Sequence, residues 1–238
     1  MVLSPPGCRR CGRPFEQWLD ACGDCPPGGP SWVRSAFLYE GPVRRGLMAL
    51  KFGGTRSFAQ AFAVPMVEAV QAWTQHPSDD AVVTWVPLGR RRKRSRGFDQ
   101  AEVLARTFAR TAGLPVRRLL VRAVETAPQA KRAGEDRRAA LAGAFRAVRA
   151  VPGRVIVVDD VLTSGSTAAE CALALLRAGA VEVGVVTAAR ALGSRLPVRC
   201  VRLADGLPAW VCGCPGEVLP VVDASRRRND PRKATVGR

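Results

Sequence analysis

Two patterns of apolar and polar positions alternate along this 238-residue chain. Continuous apolar runs predict strands, and apolar residues three or four positions apart predict helices. The predicted strands are Ala36–Tyr39, Val82–Val86, Val155–Val158, Val181–Ala188 and an edge strand at Val198–Leu203. The predicted helices are 43–51, which ends at Gly53-Gly54, Ser57–Trp73, Asp99–Thr111, Glu135–Gly143 and Ala168–Ala178.

The run Val155–Val158 decides the predicted fold class. It is all β-branched and does not alternate with polar residues, which is typical of a strand buried on both faces of a parallel sheet. The strand, helix and strand between residues 155 and 188 have the size of a right-handed crossover. We therefore predict an α/β fold with a central parallel sheet flanked by helices.

Composition limits the compartment and the class of protein. Hydrophobic residues make up 47% of the 25.5 kDa chain, enough for one buried core with small appendages. No apolar run is long enough to span a bilayer, and the first residues lack the pattern of a secretory signal. We expect a cytoplasmic protein.

A net charge of +17 favours polyanionic partners, either nucleic acid or phosphorylated substrates. A solvated basic surface accounts for part of it. The basic residues cluster at Arg90–Arg96, Lys131–Arg138 and Arg226–Arg238. So many like charges cannot be buried, so we expect Arg90–Arg96 to be an exposed loop. Such a loop suits a clamp for phosphate oxygens, with Arg91 and Arg96 among the candidate ligands, and suits a nucleic-acid backbone equally.

Three features coincide after the buried strand. Asp159 and Asp160 stand where it is predicted to end, at the edge of the sheet where α/β folds bind ligands. The small, hydroxylated run that follows, Thr163-Ser164-Gly165-Ser166-Thr167, can close backbone N–H groups on a phosphate. Thr167 and Glu170 have the spacing of a capping box that opens the next helix. An acidic turn capping a helix is the simpler alternative.

The cysteines predict a metal site. Cys8-x2-Cys11 and Cys22-x2-Cys25 are separated by 10 residues in a segment without helical or strand periodicity. Gly12 and Gly23 permit tight turns, and four thiolates leave no open position, so we expect structural Zn²⁺. Disulfides are disfavoured in the cytoplasm. Cys171 is expected in the core; Cys200, Cys212 and Cys214 have no assigned role, and His76, the only histidine, is expected in an exposed loop.

Several motifs occur together and in order. They are the cysteine pairs, Tyr39–Arg44, Leu50–Gly54, Val86-Pro87-Leu88, Arg96–Gln100, Gln129–Phe145 and the segment Val155–Thr167. In this combination the chain resembles the competence-protein-F (ComF/GntX) family of the type I phosphoribosyltransferase superfamily, over about Cys8–Arg190. It departs from the family pattern at Gly89, Asp99 and Ala140, where histidine, asparagine and asparagine are usual.

The resemblance implies a site for 5-phosphoribosyl-1-pyrophosphate with Mg²⁺. Asp159 and Asp160 would hold the ribose hydroxyls, and Thr163, Ser164, Gly165, Ser166 and Thr167 would wrap the 5′-phosphate. The turn at Pro87 and Leu88 would face the pyrophosphate. Thr126–Arg138 resembles a loop that closes over substrate, which adds Arg138.

These observations predict a zinc segment over 1–30 and a phosphoribosyltransferase-like domain over 31–190. An extension of unknown role over 191–225 and a disordered basic tail over 226–238 follow. The leading hypothesis is transfer or sensing of a phosphoribosyl group. The alternatives are a non-catalytic accessory in DNA uptake or processing, which binds single-stranded DNA or competence proteins, and a zinc-stabilised scaffold.

Overall fold

The structure is a computed structural model that describes residues 6–15, 17–23, 25, 28–52, 57–72, 80–123, 142–148 and 150–191. These residues form six strands and five helices. In chain order they are β1 (Trp32–Leu38), α1 (Gly41–Phe52), α2 (Phe58–Gln71), β2 (Val82–Trp85), α3 (Arg90–Arg96), α4 (Gln100–Ala112), β3 (Leu120–Arg122), β4 (Phe145–Ala147), β5 (Arg154–Leu162), α5 (Ser166–Arg177) and β6 (Glu182–Arg190).

The central sheet of the described residues is parallel, with strand order β1-β6-β5-β2. The two middle strands, β5 and β6, are the long ones, and Val155 to Val158 are all buried. Burial on both faces removes the need for polar residues at alternate positions. The predicted α/β fold with a central parallel sheet is confirmed.

Helices cover both faces of this sheet. On one face α1, α2 and α4 pack with Ile156 and Val158, and on the other α5 packs with Val155 and Val157. Successive side chains of a strand point to opposite faces, so the single run of β5 supplies both halves of the core. The predicted helices over these segments are therefore present.

Residues 90–96 differ from the prediction, because they form the helix α3 rather than a loop. The expected exposure is correct, since the helix has no buried residue. Gly89 enters it in an extended conformation and Gly97 ends it with a left-handed φ of 75°. Arginine and lysine are good helix formers, and cations in the last turn interact favourably with the free carbonyl groups there.

A two-stranded antiparallel ribbon, β3 with β4, packs beside α5 and was not predicted. Each of its strands has three residues. That is too short for an alternating pattern to be visible in the sequence.

Several predicted features lie outside the described residues. They are Gly53-Gly54, His76, the loop Thr126–Arg138 with Arg138, most of the helix Glu135–Gly143, and everything from residue 192 onward, including Val198–Leu203 and Cys200, Cys212 and Cys214. Among the described helices, none combines the length and apolar character that crossing a membrane requires.

Candidate functional site at the carboxyl end of the sheet

The two aspartates lie inside β5, not after it. The strand continues to Leu162, because β6 pairs with it that far, with Asp159 opposite Thr187 and Leu162 opposite Arg190. On its other side β2 ends at Trp85, opposite Val158. The carboxyl edge of the sheet is therefore stepped, and the acidic pair lies on the part of β5 that extends past β2.

Neighbouring residues in a strand point to opposite faces, and the two carboxylates follow this rule. Asp160 is buried on the side of α1, where it forms an ion pair with the Lys51 ammonium. Asp159 lies towards α5, where its charge, after burial, contributes to raising the pKa of the Cys171 thiol well above its ordinary value. The pair thus presents one acid to each side of the sheet. The predicted core position of Cys171 is confirmed.

Asp159 is held in an environment that disfavours its charge. Burial, and then the adjacent negative charge of Asp160, raise the pKa of Asp159 well above its ordinary value. The backbone N–H of Asp160 donates a 2.8 Å hydrogen bond to Asp159 Oδ1. A carboxyl group that is costly to ionise at the edge of a sheet is typical of a functional site.

The hydroxylated loop lies directly after β5. Thr163 and Ser164 are exposed, whereas Ser166 is buried and its hydroxyl lies 3.0 Å from that of Ser164. Gly165 has a φ of 77°, a conformation that side-chain-bearing residues rarely adopt. The loop therefore turns on Gly165 and leads straight into the first turn of α5.

The predicted capping box is wrong. Helix α5 begins at Ser166 with Gly165 as its N-cap, and the Ser166 backbone N–H donates a 3.4 Å hydrogen bond to Ser164 Oγ. Thr167 is already inside the helix, and the Glu170 carboxylate accepts a hydrogen bond from the backbone N–H of Gly143 instead. The Ser164 hydroxyl, not that of Thr167, therefore accepts from one of the free N–H groups at this helix N-terminus.

Two cations flank Asp160, and sequence reasoning missed the first. Lys51 stands four residues after the buried Leu47 and so lies on the face of α1 that packs against the sheet. That spacing was a usable signal, but a lysine in a last helical turn is usually explained by the helix dipole. The second cation is Arg96. Burial lowers the pKa of its guanidinium group, and the negative charge of Asp160 opposes this change, so the two groups interact. The Arg96 guanidinium also lies 4.7 Å from the centre of the Phe52 ring.

The segment after β2 is fixed to α4 through one buried acid. Asp99 Oδ2 accepts a 2.8 Å hydrogen bond from the Leu88 backbone N–H, and Oδ1 accepts from the N–H groups of Ala101 and Glu102. Asp99 is thus the N-cap of α4 and an anchor for the turn with the buried Pro87. Burial raises its pKa, and these hydrogen bonds oppose the rise.

The remaining predicted site residues divide into two groups. Arg91 is exposed on α3, and the structure gives it no place in the cluster around Asp160. Arg138 lies outside the described residues. The structure therefore brings together Asp160, Lys51 and Arg96, with the hydroxylated loop following on the same strand.

The four N-terminal cysteines form a compact cluster. Their Sγ atoms all lie within 4.8 Å of one another, and Cys8–Cys25, Cys11–Cys22 and Cys22–Cys25 are 3.5–3.6 Å apart. These separations exclude a disulfide, and a tetrahedral zinc with Zn–S of about 2.3 Å needs S···S separations near 3.8 Å. The Cys11 backbone N–H also points at Cys8 Sγ, 3.4 Å away. The cluster therefore fits a structural zinc site.

Each cysteine pair with its turn is called a knuckle below. Of the two glycines predicted to permit these turns, only Gly12 has a position that a larger residue could not take. Gly12 has a φ of 66°, and a Cβ atom there would stand 2.4 Å from the Val33 carbonyl oxygen. Gly23 has no such constraint, since an added Cβ would meet nothing within 4 Å. Gly12 thus allows the first knuckle to lie directly against β1.

The sequence relatives of this chain have names that refer to DNA utilization or competence. No family model matches the chain. DNA utilization protein YhgH of Salmonella typhi is 35% identical over 192 residues, which cover 78% of this chain and 84% of that protein. Competence protein F of Haemophilus influenzae is 29% identical over 201 residues, covering 80% and 87%. Among solved structures, a glutamine phosphoribosylpyrophosphate amidotransferase from B. subtilis superposes with a TM-score of 0.40 at 21% identity, covering 59% of this chain and 30% of that one.

Proposed function

Because this chain belongs to the competence protein F family, we propose that it binds 5-phosphoribosyl-1-pyrophosphate with Mg²⁺ at the carboxyl end of β5 and transfers or senses its phosphoribosyl group. One observation carries the proposal. A buried acid at the strand end, Asp160, is neutralised by Lys51 close to Arg96, and the hydroxylated loop follows three residues later. Such a site offers acceptors for a sugar and donors for phosphates.

The two ends of the ligand call for different chemistry. The loop Thr163–Thr167, with its backbone N–H groups, its hydroxyls and the positive end of α5, suits the 5′-phosphate. Asp160, on the side of Lys51, suits the vicinal hydroxyls of the ribose, and Asp159 would reach the same sugar if the ribose lies across the end of β5. Their oxygens also suit Mg²⁺, held directly or through water, which when bound supplies neutralisation of pyrophosphate charge.

Lys51 and Arg96 suit the pyrophosphate. As the bond between C1 and the pyrophosphate oxygen breaks, negative charge grows on the leaving group, and fixed cations stabilise it. Lys51 forms an ion pair with Asp160, so ligand binding would exchange a carboxylate partner of Lys51 for a phosphate oxygen. Transfer of this kind needs positioning and charge rather than a side-chain nucleophile.

Isothermal titration calorimetry tests the site. Replacing both acids, Asp159→Asn with Asp160→Asn, should weaken binding of Mg²⁺–phosphoribosyl pyrophosphate at least tenfold, because sugar and metal acceptors are lost. The matched control is Asp80→Asn, an exposed acid beside Arg154 near the amino end of β5. Unchanged affinity in the folded double variant would contradict the proposal. Release of labelled pyrophosphate with a panel of bases and amines then separates transfer from sensing.

A second candidate function is single-stranded DNA binding by helix α3. The helix presents an exposed cation at every position from Arg90 to Arg94. The nearby Phe52 is 66% exposed, and its ring lies against the Arg96 guanidinium. Regularly spaced cations with an exposed aromatic ring suit a nucleic-acid backbone and a stacked base. The names of the relatives, DNA utilization and competence proteins, are consistent with this candidate.

Salt dependence tests the DNA candidate. If five cations of α3 each neutralise one phosphate of a single strand, log K falls against log salt with a slope of about −3.5, roughly a hundredfold between 50 and 200 mM salt. Changing Arg90, Arg91, Arg92 and Arg94 to glutamine should flatten that slope. A control with Arg117→Gln and Arg118→Gln, away from α3, should retain it. If both variants behave alike, α3 is not the contact.

A further inference from the structure

Two buried arginines lie beneath the four-cysteine cluster. Arg34 of β1 is 4% exposed and Arg190 at the end of β6 is 7% exposed. Neither belongs to the proposed sugar-phosphate site. Guanidinium groups are rarely buried unless they are paired, so their position needs a physical reason.

Both side chains bind the knuckle backbone. Arg34 Nη2 donates a 2.7 Å hydrogen bond to the carbonyl oxygen of Arg9, and Arg190 Nη1 donates to that of Cys11. The two acceptors lie within or next to the first cysteine pair. Side chains of both β1 and β6 therefore hydrogen-bond to the backbone of this knuckle.

The cysteine thiol groups act electrostatically on both guanidinium groups. Burial lowers the pKa of Arg34 to about 10, and the charges of Cys8 and Cys11 oppose that change. Burial likewise lowers the pKa of Arg190, and Cys11 is the first group that opposes it. Arginine does not lose its proton in proteins, so two positive charges are held against the backbone of the first cysteine pair.

The charge of a four-cysteine zinc site gives a second reason for the position of these two arginines. Four thiolates around Zn²⁺ would carry a net charge of −2, and Arg34 and Arg190 are two buried cations hydrogen-bonded to the first cysteine pair. We propose that Arg34 and Arg190 are positioning residues of the zinc site, which balance its charge and couple metal occupancy to the order of β1 and β6. Because Arg190 pairs with Leu162, and the Ala191 N–H donates to the Leu162 carbonyl, this coupling reaches the strand end that precedes the hydroxylated loop.

Zinc affinity of the full chain, measured by competition with a chromophoric chelator, tests the proposal. Arg34→Gln and Arg190→Gln should each weaken zinc binding about 10- to 100-fold, the usual effect of losing an outer partner of a metal ligand. Arg190→Lys keeps the charge and should retain more affinity than Arg190→Gln. The control is Arg9→Gln, next to Cys8 but exposed and 3.5 Å from Asp20, which should stay within about threefold of the wild type.

Glutamine variants that bind zinc as tightly as Arg9→Gln would overturn the proposal. If the two glutamine variants fail to fold, hydrogen exchange of the wild-type chain with and without zinc tests the coupling instead. Removing zinc should speed exchange of the β1 and β6 amides near Arg34 and Arg190 more than that of β2. Equal change in all strands, or none, would contradict the coupling. Neither measurement involves phosphoribosyl pyrophosphate, so the result stands apart from the proposed function.

Discussion

At the residue scale, the candidate site contains an acid, Asp159, whose ionised form is disfavoured by its surroundings in the folded protein. Asp159 is confined where burial and Asp160 disfavour its ionised form, and Asp160 depends on Lys51. Groups held in this way lower stability and persist at binding and catalytic sites. The acidic pair is thus the place where we expect stability and function to conflict.

Asp159→Asn should therefore stabilise the ligand-free protein at neutral pH. The amide oxygen still accepts from the Asp160 N–H, while the buried charge disappears, a gain on the order of 1 kcal/mol. The sign of the pH dependence follows from the raised pKa of Asp159 in the folded state. Its contribution is most favourable below the unfolded carboxyl pKa and is lost as the pH rises through the folded value.

Urea unfolding at several pH values measures this difference. The free energy of unfolding of the wild type should fall relative to that of the asparagine variant as the pH rises above about 4. The control Asp80→Asn removes an exposed carboxylate whose pKa is lowered by its hydrogen bond with Arg154, so it should show the opposite trend. A destabilised Asp159→Asn variant at pH 7 would contradict the interpretation.

At the element scale, the knuckle and β1 act as one unit. The Val33 N–H donates a 2.7 Å hydrogen bond to the Arg10 carbonyl, and Gly12 lies so close to the strand that an added Cβ would stand 2.4 Å from the Val33 carbonyl oxygen. The predicted zinc segment thus makes contacts with the sheet that help to order it, besides its four-cysteine cluster. This dependence was not visible from the cysteine spacing.

Gly12→Ala should be strongly destabilising and Gly23→Ala nearly neutral. Alanine at residue 12 needs a φ of 66° and brings its Cβ to 2.4 Å from the Val33 carbonyl oxygen, so we expect a loss of at least about 2 kcal/mol. Residue 23 offers open space. Thermal unfolding with zinc present compares the two, and equal effects would show that the knuckle does not rest on β1 as described.

At the scale of the whole molecule, stability is concentrated in the middle of the sheet. Strands β5 and β6 are nine residues long, lie between other strands and are covered on both faces. The β3–β4 ribbon has three residues in each strand and a single pairing partner. Local opening is cheapest where few backbone hydrogen bonds and few apolar contacts are broken.

Native-state hydrogen exchange should reflect this order. Amides of Val157, Val158, Val185 and Val186 should exchange only through global unfolding, with opening free energies equal to that measured in urea. Amides in the β3–β4 ribbon should exchange through smaller openings. Protection of the ribbon equal to that of β5 would contradict a stability centred on the parallel sheet.

The sequence predicted those parts of the fold that depend on local pattern and composition. Val155–Val158 indicated the parallel sheet, helical spacing gave α1, α2, α4 and α5, and the relatives confirm the family resemblance drawn from the motifs. The helix α3 and the wrong capping box show the limit. Charge predicted exposure but not conformation, and two residues at the right spacing do not decide which residue caps a helix.

By itself, the amino-acid sequence determined the periodicities, the cysteine spacing and the order of acids, hydroxyls and glycine after β5, because each is a relation between near neighbours. Only the tertiary structure decided that Lys51 meets Asp160 across 109 positions of sequence and that Arg190 reaches Cys11 across 179. Such contacts depend on the register and strand order of the whole sheet. A pattern read along the chain contains no information on which distant residues those two quantities bring together.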